Sequence, residues 1–250
     1  MPRLLDVRQR RREPEIMDQP GLDPRRHVEA LRGLERINRF SGSARILWPA
    51  ILELARSSAA PLRLLDVATG GGDVPLRLWQ RAQKAGIALG VDGCDRSTCA
   101  IDHARANAVR LGADVRFFEW DALSGPLPDG YDIIVSSLFL HHLDEEQAID
   151  LLRRMAAAAR RLVLINDLER SVGGLLLAYI GTRLLSASPV VHVDGPLSVS
   201  GAFTCREALT LARTAGLEGT TVQRRWPFRF LLTWRRRRRR PSKTAGEDVG

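Results

Sequence analysis

The stretch LLDVATGGGD, residues 64–73, runs from an apolar segment into three consecutive glycines. A short apolar run that stops at a glycine cluster is typical of a buried strand followed by a tight turn. Apolar side chains recur at helical spacing over residues 74–85, so the turn leads into a helix. The backbone amides of such a turn and helix N-terminus are open to a ligand group that carries negative charge, such as a carboxylate.

The glycine spacing argues against a nicotinamide dinucleotide as the ligand. A Gly-x-Gly-x-x-Gly fingerprint that began at Gly70 would require glycine at position 75, and Pro75 stands there. A glycine turn alone is a weak signal for any other ligand. The segments that follow it must therefore decide which ligand the turn holds.

Outside this stretch the sequence alternates short apolar strands with helices, which predicts a parallel sheet with crossover helices. The two last strands are joined only by Trp226-Pro227, too short for a parallel crossover, so they form an antiparallel hairpin. We predict an α/β, Rossmann-like fold whose seven-stranded sheet is mostly parallel with an antiparallel last strand. The predicted strands are 63–67, 89–94, 115–119, 131–136, 161–166, 219–224 and 228–234, and the predicted helices of the core are 74–85, 98–111, 145–160, 173–185 and 205–215.

The second predicted strand ends in an acidic residue, in the segment LGVDGCDRS, residues 89–97. A carboxylate at that place can accept hydrogen bonds from both hydroxyls of a ribose, which predicts a nucleoside ligand. Asp95 is the preferred candidate because the neighbours of Asp92 place that residue inside the strand. The alternative role for Asp95 is that of a helix N-cap.

Two further segments complete a recognisable order of motifs. The third strand is followed by Trp120 and Asp121, and the fourth, in YDIIVSS, ends at Ser136 and Ser137. With the pattern Asp-x-Ala-x-Gly-x-Gly that starts at Asp66, residues 61–234 resemble the class I S-adenosylmethionine-dependent methyltransferases, in their small-molecule branch of quinone-type and phenolic or polyketide enzymes. In that family an acidic residue at the place of Asp121 takes the adenine amino group, and the fourth strand approaches the methionine part.

The resemblance implies S-adenosylmethionine as the cofactor and a set of residues that bind it. These are Asp66, Ala68, Gly70, Gly71, Gly72, Asp95, Arg96, Trp120, Asp121 and Ser136. Ala68 stands where the family motif has its first glycine, and we expect this change between small residues to be tolerated.

Three histidines are candidates for a general base, a role that suits imidazole near neutral pH. His141 and His142 follow the fourth strand, at the edge of the sheet where ligands bind, although paired histidines here often have a structural or cofactor-shell role in the family. His192 lies in the insertion after the fifth strand, two residues before Asp194. A turn at Asp194-Gly195 is the alternative explanation of that segment. The pair Asp167 and Arg170 either reaches the site or forms internal ion pairs.

The acceptor class is predicted by elimination. The exit of the fourth strand, SSLF, lacks the Asn/Asp-Pro-Pro-aromatic motif of base N-methyltransferases, and no cysteine lies there for cytosine C5 chemistry. The N-terminal helices and the apolar insertion remain as a lid over a small acceptor. We therefore expect a hydrophobic phenol, quinone or polyketide-like acceptor.

The predicted organisation is an extended or disordered lead-in over residues 1–24, a helical cap over 25–60, the core over 61–234 with an acceptor-pocket insertion at 171–200, and a basic disordered tail over 235–250. The break between the two cap helices is expected at Ser41-Gly42-Ser43. The apolar stretch 173–187 is interrupted by Arg183 and too short to span a membrane, so we interpret it as a packed helix.

Charge and cysteine content limit which partners and which cellular compartment we expect. Six of the nine net positive charges belong to the run from Arg235 to Arg240, so nucleic acid is an unlikely partner, while peripheral membrane contact through that run stays open. Three scattered cysteines predict neither disulfides nor a metal site, and with no signal peptide we expect the cytoplasm. Two alternatives remain: an RNA or protein methyltransferase guided by the arginine run, and a cofactor-binding module without catalysis.

Overall fold

The computed structural model describes residues 7–19 and 21–236. Its seven strands form one sheet in the order β3-β2-β1-β4-β5-β7-β6. Every adjacent pair is parallel except β5 with β7 and β6 with β7, so β7 is the one strand that runs against the others. The strands are β1 Leu62–Val67, β2 Leu89–Asp95, β3 Val115–Glu119, β4 Ile133–Ser137, β5 Leu162–Leu168, β6 Thr221–Arg225 and β7 Arg229–Arg235.

Eight α-helices surround or precede this sheet within the described residues. The predicted α/β fold and the antiparallel last strand are confirmed, and the ends of the predicted elements differ by only one or two residues in most cases. The helices are α1 Pro24–Ser41, α2 Ser43–Arg56, α3 Asp73–Ala85, α4 Thr98–Leu111, α5 Glu145–Ala158, α6 Val172–Leu185, α7 Pro189–Gly201 and α8 Cys205–Thr214, with short 3-10 helices at Ile16–Asp18 and Leu140–His142.

The chain direction across the sheet fixes where a ligand can bind. The strand β1 pairs in parallel with β2 on one side and β4 on the other, so the order of the chain reverses there. In such sheets the loops that leave the carboxyl ends of the two neighbouring strands diverge and open a crevice. The glycine turn after β1 and the histidine segment after β4 both lie at this crevice.

Two apolar layers hold the sheet. One packs Leu65, Val67 and Ile134 against α5 and α8, and the other packs Leu64 and Ile133 against helices that include α2, α3 and α4. Both faces of the central strands are therefore covered, which explains why these strands are nearly continuous apolar runs in the sequence.

The turn considered for Asp194-Gly195 does not form, because α7 runs through both residues. Pro189 at the first turn starts this helix, and the Asp194 carboxylate instead accepts hydrogen bonds from the amides of Ile16 and Met17. A Cβ at position 195 would lie 2.4 Å from Thr182 Cγ2, so Gly195 allows α6 and α7 to approach closely. The Asp194-Gly195 pair is therefore explained by the packing of α7 against α6 and the lead-in, and not by a turn.

Residues 7–19 of the lead-in lie against the core. Arg10 donates from Nε to the Gly201 carbonyl at 2.6 Å and from Nη2 to the Leu143 carbonyl at 2.6 Å. The backbone of Arg11 also donates to the Ser200 carbonyl. The predicted tail is described only as far as residue 236; positions 237–250 lie outside the described residues.

Candidate functional site

The glycine turn after β1 has three residues in the left-handed region. Ala68, Gly70 and Gly72 have φ values of +55°, +53° and +77°. A Cβ at Gly72 would lie 2.7 Å from Phe117 Cζ and 2.8 Å from Ala104 Cβ, so this glycine is required by packing. At Gly70 the nearest atom to a Cβ would be Leu31 Cδ2 at 4.0 Å, an ordinary van der Waals distance, so this backbone is not crowded. Gly70 is therefore the place where a ligand can approach the main chain.

The carboxylate of Asp95 closes the turn from the neighbouring strand. Its Oδ2 accepts the Gly70 amide at 2.8 Å, and its Oδ1 accepts the Ser97 amide at 2.9 Å. The Ser97 side chain, not that of Asp95, caps α4 by accepting from the Ala100 amide. The N-cap alternative for Asp95 is therefore wrong.

The carboxylate of Asp92 is bound by side chains away from the glycine turn. Its Oδ2 accepts hydrogen bonds from the Tyr131 hydroxyl at 2.7 Å, from Arg63 at 3.0 Å and from Arg116 at 3.1 Å. Asp92 thus ties β2 to its neighbours, which supports the preference for Asp95 at the crevice.

The end of β3 lies beside Asp95. The Trp120 amide donates to the Asp95 carbonyl at 2.9 Å, and the indole of Trp120 is 40% exposed. The Asp121 carboxylate accepts from the Leu123 amide and the Ser124 hydroxyl, and these hydrogen bonds hold its pKa below the usual value. Arg96, which is exposed, also lowers the pKa of Asp121 by its charge.

Asp66 places a buried carboxyl group beneath the turn. Its Oδ2 accepts the Thr69 hydroxyl at 2.7 Å, while its Oδ1 is buried with no hydrogen-bond partner among the described residues. Burial raises the pKa of Asp66 to about 8, which the hydrogen bond from Thr69 opposes and the charges of Asp73 and Asp95 reinforce. An unsatisfied buried oxygen near two other carboxylates suits a ligand that carries positive charge. Ser136, at the end of β4, donates to the Val67 carbonyl at 3.0 Å.

On the other side of the crevice, His141 lies between two carboxylates. Its Nδ1 is 2.6 Å from Asp167 Oδ1, and its Nε2 is 3.6 Å from Glu15 Oε1. Burial disfavours the charged imidazole, but Asp167 and Glu15 outweigh that effect and raise the pKa of His141 to about 10. His141 is therefore a buried cation at neutral pH.

Glu15 comes from the lead-in, where the sequence offered no signal for a site residue. Its Oε2 lies 3.8 Å from His142 Nε2, and its Oε1 accepts the Ser198 hydroxyl at 2.5 Å. The two backbone hydrogen bonds to Asp194 and those of Arg10 hold the segment in place. Only the fold brings this carboxylate to the histidine pair.

Comparisons with known proteins point to methyltransferases. Residues 64–161 match the family model described as a methyltransferase domain. The chain is 38% identical over 122 residues to a demethylmenaquinone methyltransferase of Thermus thermophilus, a match that covers 48% of this chain and 54% of the relative. It is 35% identical over 109 residues to the demethylmenaquinone methyltransferase of Deinococcus radiodurans, which covers 43% of this chain and 44% of the relative. The chain thus spans about half the length of these curated relatives.

Among solved structures, the fold is similar to that of magnesium protoporphyrin IX methyltransferase from Synechocystis PCC 6803 with bound SAH. The TM-score is 0.56 at 16% identity, and the match covers 88% of this chain and 91% of the other. Residues 64–161 thus match a methyltransferase domain, and the fold is that of the class I methyltransferases. This class takes its methyl group from S-adenosylmethionine, as the sequence resemblance implied.

Within the methyltransferase domain the structure gathers the predicted residues into two groups. Asp66, the turn residues Ala68 and Gly70 to Gly72, and Asp95 meet at the glycine turn. Arg96 follows Asp95 directly, and Trp120, Asp121 and Ser136 lie at the ends of β3 and β4. His141 and His142 form the second group, with ring centroids 4.3 Å apart. His192 lies on α7 outside both groups, and its Nε2 is 2.7 Å from the Ser186 carbonyl, so that this nitrogen carries the proton.

The pair Asp167 and Arg170 forms internal ion pairs, but not with each other. Asp167 pairs with His141, while Arg170 is bound to Glu207 by two hydrogen bonds of 2.6 and 2.9 Å. Arg170 also donates to the carbonyls of Ala202 and Val7, and so joins α8 to the lead-in.

One cluster of side chains has the composition of a metal site. Glu15, His141 and His142 each present a ligand atom within 4.8 Å of the other two, the one such group of three in the part of the chain that the structure describes. Glu15 is already engaged by Ser198 and by both imidazoles, which satisfies its charge. No helix of residues 7–19 and 21–236 is long and apolar enough to cross a membrane.

Proposed function

We propose that this protein transfers the methyl group of S-adenosylmethionine to a small, hydrophobic aromatic acceptor such as a phenol, a quinol or a polyketide-like ring. The observation that carries the proposal is the hydrogen bond from the Gly70 amide to Asp95, which makes the glycine turn and the end of β2 one unit at the crevice. The uncrowded backbone of Gly70 and the unpartnered oxygen of Asp66 fit a nucleoside ligand with a cationic arm.

When bound, the cofactor would supply an activated methyl group on a sulfonium. Asp95 would hold the ribose hydroxyls, and Trp120 and Asp121 would lie at the adenine. Asp66 would face the positive charge, because its buried carboxyl is the unsatisfied acceptor under the turn. The chain's part in such an in-line transfer is mainly to position the two reactants.

The lid over the crevice supports an apolar acceptor. Leu31 of α1 lies over Gly70 and Gly71, at 4.0 and 3.7 Å from the positions their Cβ atoms would take. The helices α6 and α7 pack on each other and on α1. Most residues of α6 are apolar, so a polar macromolecular acceptor would meet few hydrogen-bonding groups there. The quinone acceptor named for the two curated relatives is of the same chemical kind.

A phenolic acceptor gains from a general base, and His142 is the best placed histidine for that role. His141 already carries a proton between Asp167 and Glu15, and a charged imidazole cannot accept another. His142 follows β4 at the crevice. Glu15 Oε2 lies 3.8 Å from its Nε2 and so orients the imidazole ring. The stably protonated His141 would then act as a positioning residue that keeps Glu15 in place.

The test is methyl transfer from isotope-labelled S-adenosylmethionine to a panel of phenols, quinols and polyketide-like rings, followed by mass spectrometry. Arg236 binds the Ala159 carbonyl, so truncation should begin after residue 236 to spare the core. The truncated chain should methylate the same acceptors as the full chain. Activity on RNA or protein that disappears with residues 237–250 would support the rival function instead.

A further inference from the structure

The outward face of α6 is apolar along its whole length. Seven residues of this helix are exposed, and six of them are apolar; the seventh is Arg183, and the six are Val172, Leu176, Leu177, Tyr179, Ile180 and Leu184. Leu184 is 79% exposed and Leu176 is 57% exposed. A surface helix of a globular protein normally turns polar residues outward. The prediction of a packed helix is thus correct for one face of α6 only.

The apolar face continues onto the turn between β6 and β7. A Cβ at Gly173 would lie 2.5 Å from Phe228 Cζ, so the Phe228 ring packs on the first turn of α6. Trp226, in the same turn, is 75% exposed. We call this surface, made of the six exposed apolar residues of α6 with Trp226 and Phe228, the α6 face. Large contiguous apolar surfaces on a folded protein mark interaction sites.

The surroundings of the α6 face are cationic. The Arg183 guanidinium lies 3.7 Å above the Tyr179 ring, and Arg36 donates to the Leu185 carbonyl at the end of the helix. Arg225 lies beside Trp226 in the hairpin. Residues 170–193 and 219–236 contain no aspartate or glutamate, and Glu169, just before the first of these segments, is paired with Arg224.

We propose that the α6 face docks on the surface of an anionic lipid bilayer. Leucine, isoleucine and aromatic side chains enter the boundary between head groups and acyl chains, while arginines at the rim bind lipid phosphates. The helix would lie in the plane of the interface and would not cross it. The lack of carboxylates in residues 170–193 and 219–236 favours this occupant over a second copy of the chain, whose matching face would bring Arg183 and Arg225 against other arginines.

Docking would place the acceptor lid against the membrane. An apolar aromatic acceptor with a hydrocarbon chain concentrates in the bilayer, so α6 would meet it where it is most abundant. This consequence rests on the proposed function, whereas lipid binding itself does not. A protein that binds vesicles and transfers no methyl group would refute only the proposed function.

The experiment is co-sedimentation of the full chain with vesicles of phosphatidylcholine and phosphatidylglycerol, and separately with phosphatidylcholine alone. Binding should require the anionic lipid. The double variant Leu176→Glu/Ile180→Glu should partition about tenfold or more weakly, because two apolar anchors are lost and two negative charges face the phosphates. Val109→Glu is the matched control, since Val109 is 83% exposed on α4, away from the α6 face, and should bind as the unchanged protein does.

A second measurement works without any change to α6. The fluorescence of Trp226 should shift to shorter wavelength on anionic vesicles and be quenched by brominated lipid, and Trp226→Phe should remove most of that response. Equal binding of the double variant and the control, or no binding to anionic vesicles at all, would overturn the proposal. So would a concentration-dependent dimer that the double variant abolishes, since the α6 face would then be covered by a second copy.

Discussion

The Asp95 carboxylate accepts the backbone amide of Gly70 at 2.8 Å, which joins the acidic end of β2 to the glycine turn after β1. We therefore expect Asp95→Asn to weaken S-adenosylmethionine binding by about 1 to 3 kcal/mol, because the ribose hydroxyls lose a charged acceptor. Calorimetric titration measures this directly. Asp92→Asn is the control: it should lower thermal stability by breaking the contacts to Tyr131 and the two arginines, with cofactor affinity unchanged.

The two glycines of the turn should respond differently to alanine. Gly70→Ala should cost about 1 to 2 kcal/mol of stability for its left-handed backbone, and it should abolish cofactor binding because the methyl group would lie between the main chain and the ligand. Gly72→Ala adds a clash with Phe117 and Ala104, so it should be the more destabilising of the two. Urea unfolding and calorimetry separate the effects. Normal cofactor affinity in Gly70→Ala would contradict the assignment of the glycine turn as part of the cofactor site.

Asp66 should couple cofactor binding to pH. Its pKa of about 8 means that the carboxyl is mostly protonated at neutral pH, and a cationic ligand favours the ionised form. Binding should therefore release protons, and affinity should increase as the pH rises through 8 and level off above it. Calorimetry in buffers of different ionisation enthalpy detects the release. Asp66→Asn should remove the buffer dependence, whereas a buffer-independent enthalpy in the unchanged protein would contradict this role.

The raised pKa of Asp66 also affects the stability of the fold, and stability should change with pH in the opposite direction to cofactor affinity. Because the pKa of Asp66 is higher in the folded chain than in the unfolded chain, the folded chain binds the extra proton between about pH 4 and pH 8. The contribution of Asp66 to stability should thus fall as the pH rises through that range. Asp66→Asn should flatten this part of the curve of unfolding free energy against pH.

His141 should stabilise the fold as a cation. With a folded pKa of about 10, its contribution is complete below the unfolded pKa of about 6.5 and is lost as the pH rises through 10. His141→Asn leaves the buried Asp167 without its partner and should cost about 3 kcal/mol or more near neutral pH. Unfolding in urea at several pH values should show the difference shrinking towards pH 10. A difference that stays constant with pH would mean that His141 is neutral.

His142 should matter for turnover more than for folding. His142→Asn should reduce kcat with a phenolic acceptor by about a hundredfold or more, with cofactor affinity kept, because a general base contributes at least that much. Glu15→Gln should reduce kcat less and shift the pH profile of kcat, since Glu15 acts through His142. If His192→Asn has the larger effect on kcat, the base is on α7.

The sequence sufficed for the fold because the deciding signals are local. A buried strand that leads into the glycines at residues 70–72, an acidic residue at the end of the next strand and a short hairpin connection are each visible within a few positions. Asp95 could be preferred over Asp92 for the same reason, since strand periodicity alone distinguishes a strand end from its interior.

What the sequence did not reveal depends on contacts between distant segments. Glu15 lies 126 positions before His141, and nothing in an extended proline-containing lead-in marks one carboxylate for a buried site. Asp194-Gly195 is a sequence typical of a turn, but it lies in a helix. Gly195 packs against Thr182, and the Asp194 carboxylate accepts hydrogen bonds from the amides of residues 16 and 17. Nor does an apolar helical pattern tell which face of α6 the core covers.

The measurement that tests the central claim most directly is calorimetric titration of the full chain with S-adenosylmethionine and, separately, with NADH. We predict micromolar binding of S-adenosylmethionine with proton release, and no binding of NADH. Absence of S-adenosylmethionine binding by a folded protein, or comparable binding of NADH, would contradict the assignment of the glycine turn and Asp95 on which the proposed function rests.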